Sequence, residues 1–332
     1  MKANHQQPAW LQQALDELVA EGAPGALAEL RDEHGTWRAA SGVAELGTER
    51  PVDPAGWFRI GSVTKTFTAT VVLQLVAEGR VGLDDTVQRW LPDVVPGAAA
   101  ITIRQLLNHT SGLYNYTRDL TPYGILRDRF RRWTPHEVIL PARRKAPDFP
   151  PGTARAYNNT AFVLLGMLIE KVTNSPYGDQ IARRMLRPLD LRRTRDDVER
   201  LPEPHAHGYL AVAGEPVDVS VYNSSQAGSA GGMISTAADL NRFFAELLTG
   251  NLLGVPERRE MLEGGLGLTR YGVPGVMGKD GGFHGYRTWS FHSTDASWQL
   301  TVSMTFGLTG GPATEEFLAR VVRLSAGRAC AR

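Results

Sequence analysis

The chain has 332 residues, 42% of them hydrophobic and 21% charged, with 36 basic against 35 acidic residues and a net charge of +1. That is the balance of an ordinary soluble globular protein with room for one large domain or two lobes. It excludes a charge-driven partner as the main function. Arginines gather between Arg127 and Arg144 and between Arg192 and Arg200, but acids and aromatics interrupt both stretches, which then read as solvated faces and not as a nucleic-acid stripe. The longest apolar run, Ala161 to Ile169, is too short to span a bilayer. The single cysteine, Cys330, cannot pair internally, which fits a reducing compartment. The polar stretch Met1 to Trp10 has no apolar signal core, so the expected location is cytoplasmic, or secreted if a leader has been trimmed.

In chain order, Leu11, Leu15 and Leu18 predict an amphipathic helix from Trp10 to Ala20, closed by Gly22, Pro24 and Gly25. Gly25 to Arg31 and Trp37 to Ala44 read as a hairpin. After the Gly61 turn, Phe67, Val71, Val72, Leu75 and Val76 recur at helical spacing as far as Gly79. Ser62 then lies in the first turn of a mostly buried helix, beside unpaired N–H groups, with Lys65 on its face. Ser-x-x-Lys is the arrangement in which a lysine of lowered pKa activates a serine nucleophile; an N-cap serine with a solvated lysine is the other reading of the same residues. Composition bears on the choice. Only five of the basic residues are lysines, and this is the one Ser-x-x-Lys in the sequence. Arginine serves elsewhere, and an amine that can lose its proton stands here.

Val81 to about Arg200 is helical in pattern, with short loops and prolines. Within it, Ile103 to Leu113 reads as a helix ending in a glycine-stopped turn, where His109 is either a catalytic base or, the preferred reading, a C-terminal cap. Thr153 to Thr160 leads into an apolar helix from Ala161 to Val172, and Tyr157 and Asn159 either face a cleft together or serve as packing and cap. Past the glycine-rich run Ala227 to Gly232, Thr236 and Asp239 have capping-box spacing at the head of a helix running to Gly250. Ala227 stands where a Gly-x-Ser-x-Gly elbow around Ser229 would need glycine. Gly267 to Arg270, Gly285 to His292 and Trp298 to Phe306 alternate as strands, with a turn at Ser293 to Ala296 and a last helix from Ala313 to Leu324. The expectation is an α+β fold: an antiparallel sheet from both termini flanked by helices, with an all-helical lobe inserted. The lobe boundaries fall at 1–80 with 210–332, and 81–209.

Three short motifs now stand in order: Ser62-Val63-Thr64-Lys65, Tyr157-Asn158-Asn159 and Lys279-Asp280-Gly281. Together with Leu83-Asp84-Asp85 and His109-Thr110-Ser111-Gly112-Leu113, they make the chain resemble the penicillin-recognising serine hydrolases over nearly its whole length. These include D-alanyl-D-alanine carboxypeptidases, class C β-lactamases, and related esterases and D-aminopeptidases. The resemblance implies a serine β-lactamase-like fold in which Ser62 forms an acyl-enzyme. Lys65 and Tyr157 would share general-base work, and Tyr157 would return the proton to the leaving group. Asn159 would orient Lys65 and the substrate amide, Lys279, Asp280 and Gly281 would line the substrate site, and the backbone N–H groups of Ser62 and Gly282 would form the oxyanion hole. Two cationic amines near the phenol would favour its ionised form. No metal or cofactor is implied. His284 either lines the cleft or sits in an exposed loop.

Carboxypeptidase and β-lactamase members usually carry Thr or Ser where this chain has Asp280, and an acid there repels a substrate carboxylate. The carboxylate-binding arginine of some carboxypeptidases falls on Thr269, next to Arg270. Esterase and aminopeptidase members often carry the aspartate, followed by a run like Gly281 to Tyr286. The resemblance therefore points to hydrolysis of an ester or of a D-amino-acid-containing amide or peptide. The alternatives are a biosynthetic transacylase or peptide cyclase, in which an amine or alcohol captures the acyl group, and a non-catalytic binding module. The expected partner is a small-molecule or peptide acyl donor, with neither nucleic acid nor membrane; the oligomeric state is left open.

Overall fold

The first and last strands of the described chain lie side by side. A computed structural model describes residues 8–306, so the helix expected from Ala313 to Leu324 and Cys330 fall outside the described residues. In the sheet, β1 (Gly25–Asp32) pairs antiparallel with β2 (Gly35–Gly42) on one side and with the C-terminal β10 (Gln299–Thr305) on the other, Ala28 facing Val302. The full order is β2-β1-β10-β9-β8-β7, six strands, with β7 at Thr269–Arg270, β8 at Val276–Phe283 and β9 at Tyr286–Ser293.

Both faces of β1 are covered, which is why it shows no polar alternation. Ala26, Ala28 and Leu30 share a cluster with Leu11, Leu15 and Leu18 of α1 (Ala9–Ala20), whose spacing puts the leucines on one face. On the opposite face lies α11 (Ala237–Thr249), where Phe243 stacks on Phe67 with centroids 3.7 Å apart. There the buried Asn241 donates to the Glu29 carbonyl at 3.1 Å and accepts from Thr301 Oγ1 at 2.8 Å. Glu29, fully buried, is satisfied by Arg31 and Arg38 at 2.9 and 2.7 Å. Thr236 caps α11 as its spacing predicts, but the Asp239 carboxylate accepts from Arg193 N and Thr194 Oγ1 instead of closing a capping box.

Under the sheet runs α2 (Thr64–Ala77), buried on almost every side and entered through a 3₁₀ turn at Gly61–Val63. A two-residue strand β3 (Phe58–Arg59) pairs with β6 (Ile234–Ser235) just before that turn. Residues 81–208 contain no strand longer than an isolated bridge. They form α3 (Val87–Trp90), α4 (Ile103–Leu107), α5 (Pro122–Asp128), α6 (Pro135–Val138), α7 (Leu140–Arg144), the long apolar α8 (Asn159–Thr173) and α9 (Tyr177–Ile181). A hairpin of β4 (Tyr209–Val212) and β5 (Glu215–Asp218), the short α10 (Gly228–Gly231) and α12 (Val255–Gly264) complete the fold; the hairpin and α12 were not expected. Among the described residues no helix is long and apolar enough to cross a membrane.

The expected terminal strands are present within two residues of their predicted ends. The omission is β8, which contains the whole third motif and Gly282. Gly278, Gly281, Gly282 and the adjacent charges of Lys279 and Asp280 carry little strand propensity. Gly278 and Gly281 are there because of close approach: a Cβ on Gly278 would stand 1.8 Å from the Ser290 carbonyl, and one on Gly281 2.0 Å from that of Ile60.

Candidate active site

Ser62 sits on the 3₁₀ turn that opens into α2, and its hydroxyl receives two side chains. Lys65 Nζ is 3.0 Å from Ser62 Oγ and Tyr157 Oη is 2.5 Å from it. The helix supplies Lys65 from the same face. Tyr157 comes from the loop before α8, where Asn158, not the expected Ala161, marks the helix entry by capping Ala161 N at 2.9 Å. Asn159 therefore lies in the first helical turn, and its Oδ1 accepts from Lys65 Nζ at 2.7 Å. Its Nδ2 is held by Asn115 Oδ1 and Thr117 Oγ1, each at 3.3 Å. The cleft and cap readings of this segment both hold, on adjacent residues.

A third acceptor completes the environment of Lys65: the carbonyl of Ala230, on α10, at 2.5 Å. Lys65 is fully buried, and burial, reinforced by the nearby Lys279, holds its amine well below the ordinary lysine range; Asp280 opposes this. Tyr157 behaves contrary to expectation. Its residue is 44% exposed, yet the phenol points inward at Ser62, and burial together with the Asp280 charge raises its pKa above the ordinary value, against the hydrogen bond to Ser62. Lys65 Nζ and Lys279 Nζ lie over the ring, 5.0 and 5.3 Å from its centroid, and their charges do not offset the burial that raises the phenol.

His109 is structural, though not as a cap on helix carbonyls. It has a left-handed backbone with φ 66°, its Nδ1 accepts from Asn158 N at 3.2 Å, and its ring packs 4.6 Å from that of Tyr157. Burial and the charges of Lys65 and Lys279 push its pKa down to about 3, so it is a neutral acceptor.

From the sheet side, β8 brings the third motif across the turn. A Cβ on Gly61 would come within 2.4 Å of the Gly282 carbonyl, and one on Gly281 within 2.8 Å of Ser62 N. The backbones of 61–62 and 281–282 are thus in direct contact. Lys279 is buried and reaches Asp280 at 3.4 Å.

Ser62, His109, Tyr157, Asn159, Lys279, Asp280 and Gly282 line one cleft of about 810 Å³, whereas the fully buried Lys65, and Gly281, which the resemblance placed at the substrate site, are not among its lining residues. His284 lines it, packed 4.8 Å from Tyr222, with its pKa lowered to about 4 by burial. Thr269 also lines it, but Arg270 turns away to donate to the Leu262 carbonyl. Arg155 and Arg287 supply cations in its place. Arg287, which the motifs alone did not single out, lies opposite Gly282 across the tight turn at His284 and Gly285, so recognising β8 would have located it. The Ala230 carbonyl carried no side-chain signal at all.

The chain is similar in sequence and in structure to enzymes that cleave amide bonds. It superposes on a D-stereospecific amidohydrolase from a Streptomyces species with a TM-score of 0.86 at 39% identity, covering 94% of this chain and 98% of that one. It matches the D-amino acid amidase of Ochrobactrum anthropi SV3 with a TM-score of 0.85 at 30% identity, covering 96% and 98%. Penicillin-binding protein 4 of Amycolatopsis lactamdurans is 30% identical over 85% of this chain and 72% of its own length. Other curated relatives are matched over 38% to 66% of their length, so much of each lies outside the comparison. The beta-lactamase family model matches residues 11–324, and the chain belongs to that family, as a serine hydrolase.

Proposed function

We propose that this hydrolase cleaves an amide or ester of a D-amino acid through an acyl-enzyme on Ser62. The observation that carries the reading is the position of Ser62 Oγ, within hydrogen-bond distance of both Lys65 and Tyr157 at the base of an open cleft. The two amidohydrolase neighbours, each covered over 98% of its length, support the D-amino-acid substrate.

The chemistry follows from the two displaced pKa values. Lys65, whose charged form is disfavoured, takes the Ser62 proton as the oxygen attacks the carbonyl carbon. Tyr157, protonated, gives its proton to the leaving nitrogen or oxygen and regains one from the Lys65 ammonium, both groups being in contact with Ser62 Oγ. The N–H groups of Ser62 and Gly282 receive the oxyanion, a role supported by the close approach of Gly61 to Gly282 and of Gly281 to Ser62. Asn159 holds Lys65 in reach. Water then attacks the ester with the same groups acting in reverse, releasing the acid.

Intact-protein mass after exposure to a fluorophosphonate, with D- and L-phenylalaninamide hydrolysis followed in parallel, tests this. The expected result is a single adduct absent in Ser62→Ala, and release of D-phenylalanine in preference to the L-enantiomer. No adduct on wild type would sink it.

A further inference from the structure

Charge in the cleft is unevenly placed. Arg155, Lys279 and Arg287 line it, and Asp280 is the one carboxylate among the described residues that do. Asp280 Oδ1 is 3.4 Å from Lys279 Nζ and its Oδ2 is 3.6 Å from Arg287 Nη2. Charge-assisted N–H···O bonds run at about 2.7–2.9 Å, so both contacts are loose. The carboxylate stands between the two cations without being saturated by either: each oxygen keeps a free lone-pair direction, and the side chain remains 36% exposed.

Two consequences follow for a substrate. A carboxylate entering from outside finds its place beside Lys279 and Arg287 already taken by an anion the chain supplies itself. An ammonium next to the scissile carbonyl, by contrast, enters a cleft whose other charged lining groups all repel it, and Asp280 is the single full charge that can compensate.

Resting on the amide-hydrolase reading, we propose that Asp280 is the specificity-determining receptor for a free ammonium beside the scissile carbonyl. The substrate class is then an unblocked amino-acid amide or ester, processed from its amino end, and N-acylated analogues are excluded.

The test is the ratio of kcat/KM for D-phenylalaninamide to that for N-acetyl-D-phenylalaninamide, which cancels any loss common to both substrates. Wild type is expected to favour the free amine. In Asp280→Asn the ratio falls by about 10- to 150-fold, the range of a lost hydrogen bond to a charged group, and Asp280→Glu recovers part of it. An unchanged ratio in Asp280→Asn, or a wild type that prefers the acetylated amide, overturns the inference. Should the variants fail to fold, inhibition of wild type by D-phenylalaninol and its N-acetyl derivative gives the same answer: tighter binding of the free amine supports the proposal, and equal binding overturns it. Failure of the underlying reading looks different, as Ser62 would not be labelled by the fluorophosphonate; a labelled Ser62 with no ammonium preference condemns Asp280's role alone.

Discussion

Lys65 Nζ donates to the backbone carbonyl of Ala230 across 2.5 Å, which ties the amine to α10 as well as to Ser62 and Asn159. These three acceptors suit an ammonium, while burial and Lys279 oppose one and hold the amine's pKa well below the ordinary lysine range. Lys65→Met is expected to lower kcat/KM by about 10²–10⁴, the usual weight of a general base. It is also expected to stabilise the fold. Since the lysine pKa is depressed in the native state, the unfolded chain binds the proton more tightly, and wild-type stability rises with pH between the folded value and 10.5. The melting temperature of Lys65→Met should therefore exceed that of wild type at pH 6, with the difference shrinking toward pH 10. A gap that widens with pH would refute a depressed Lys65.

Tyr157 is expected to be a proton donor throughout the working range, its phenol raised by burial and by Asp280. Tyr157→Phe should cost about 10²–10⁴ in kcat/KM for an amide, whose leaving nitrogen needs a proton, and less for a p-nitrophenyl ester, whose leaving group does not. In a pH profile, no descending limb from this phenol should fall below pH 10. A limb below pH 9 that disappears in Tyr157→Phe would mean that the amines do ionise it.

His109 offers a separate check on the second motif. The Asn158 N–H that it accepts is buried, so His109→Ala leaves a donor without a partner and should destabilise the protein by about 1–3 kcal/mol. His109→Asn keeps a polar group near that donor and tolerates the left-handed backbone, and it should recover part of the loss. With its pKa near 3, His109 takes no proton between pH 5 and 8, so neither variant should move the acid limb of activity. Chemical denaturation and a pH–rate profile decide both points; an acid limb displaced in either variant would give His109 a titrating role.

What the sequence made legible here, and what it hid, divide along physical lines. Reactive side chains announce themselves: Ser62, Lys65, Tyr157, Asn159 and Lys279 are named by three short motifs, and the structure brings Ser62, Tyr157, Asn159 and Lys279 to one cleft with the buried Lys65 bonded to Ser62. The strands near both termini were equally readable, β9 and β10 from the alternation of Trp289, Phe291, Leu300, Val302 and Met304 with polar residues. Hidden were contributions made by backbone or by the absence of a side chain. The Ala230 carbonyl has no letter of its own, and β8 is missing from the predicted strands because packing against Ile60 and Ser62 requires glycine where a strand would ordinarily carry a branched residue. For Tyr157, sequence order shows which charges can come near the ring but not how far burial of the phenol weighs against them.

Gly281 and Gly282 are adjacent, share one strand, and should respond to the same substitution in opposite ways. A Cβ at Gly281 meets backbone, 2.0 Å from the Ile60 carbonyl and 2.8 Å from Ser62 N, and neither can yield without moving the nucleophile's own turn. At Gly282 the nearest atom is Arg287 Nη1 at 3.3 Å, the far end of a flexible side chain. Gly281→Ala should thus push β8 off the Gly61–Val63 turn, lowering stability by about 1–3 kcal/mol, as overpacking does, and abolishing labelling of Ser62 by a fluorophosphonate. Gly282→Ala preserves the backbone N–H proposed for the oxyanion site and should fold with near wild-type stability and retain labelling. Equal labelling rates in the two variants would mean that β8 does not fix the geometry of Ser62, and would remove the basis for assigning the oxyanion site to Ser62 and Gly282.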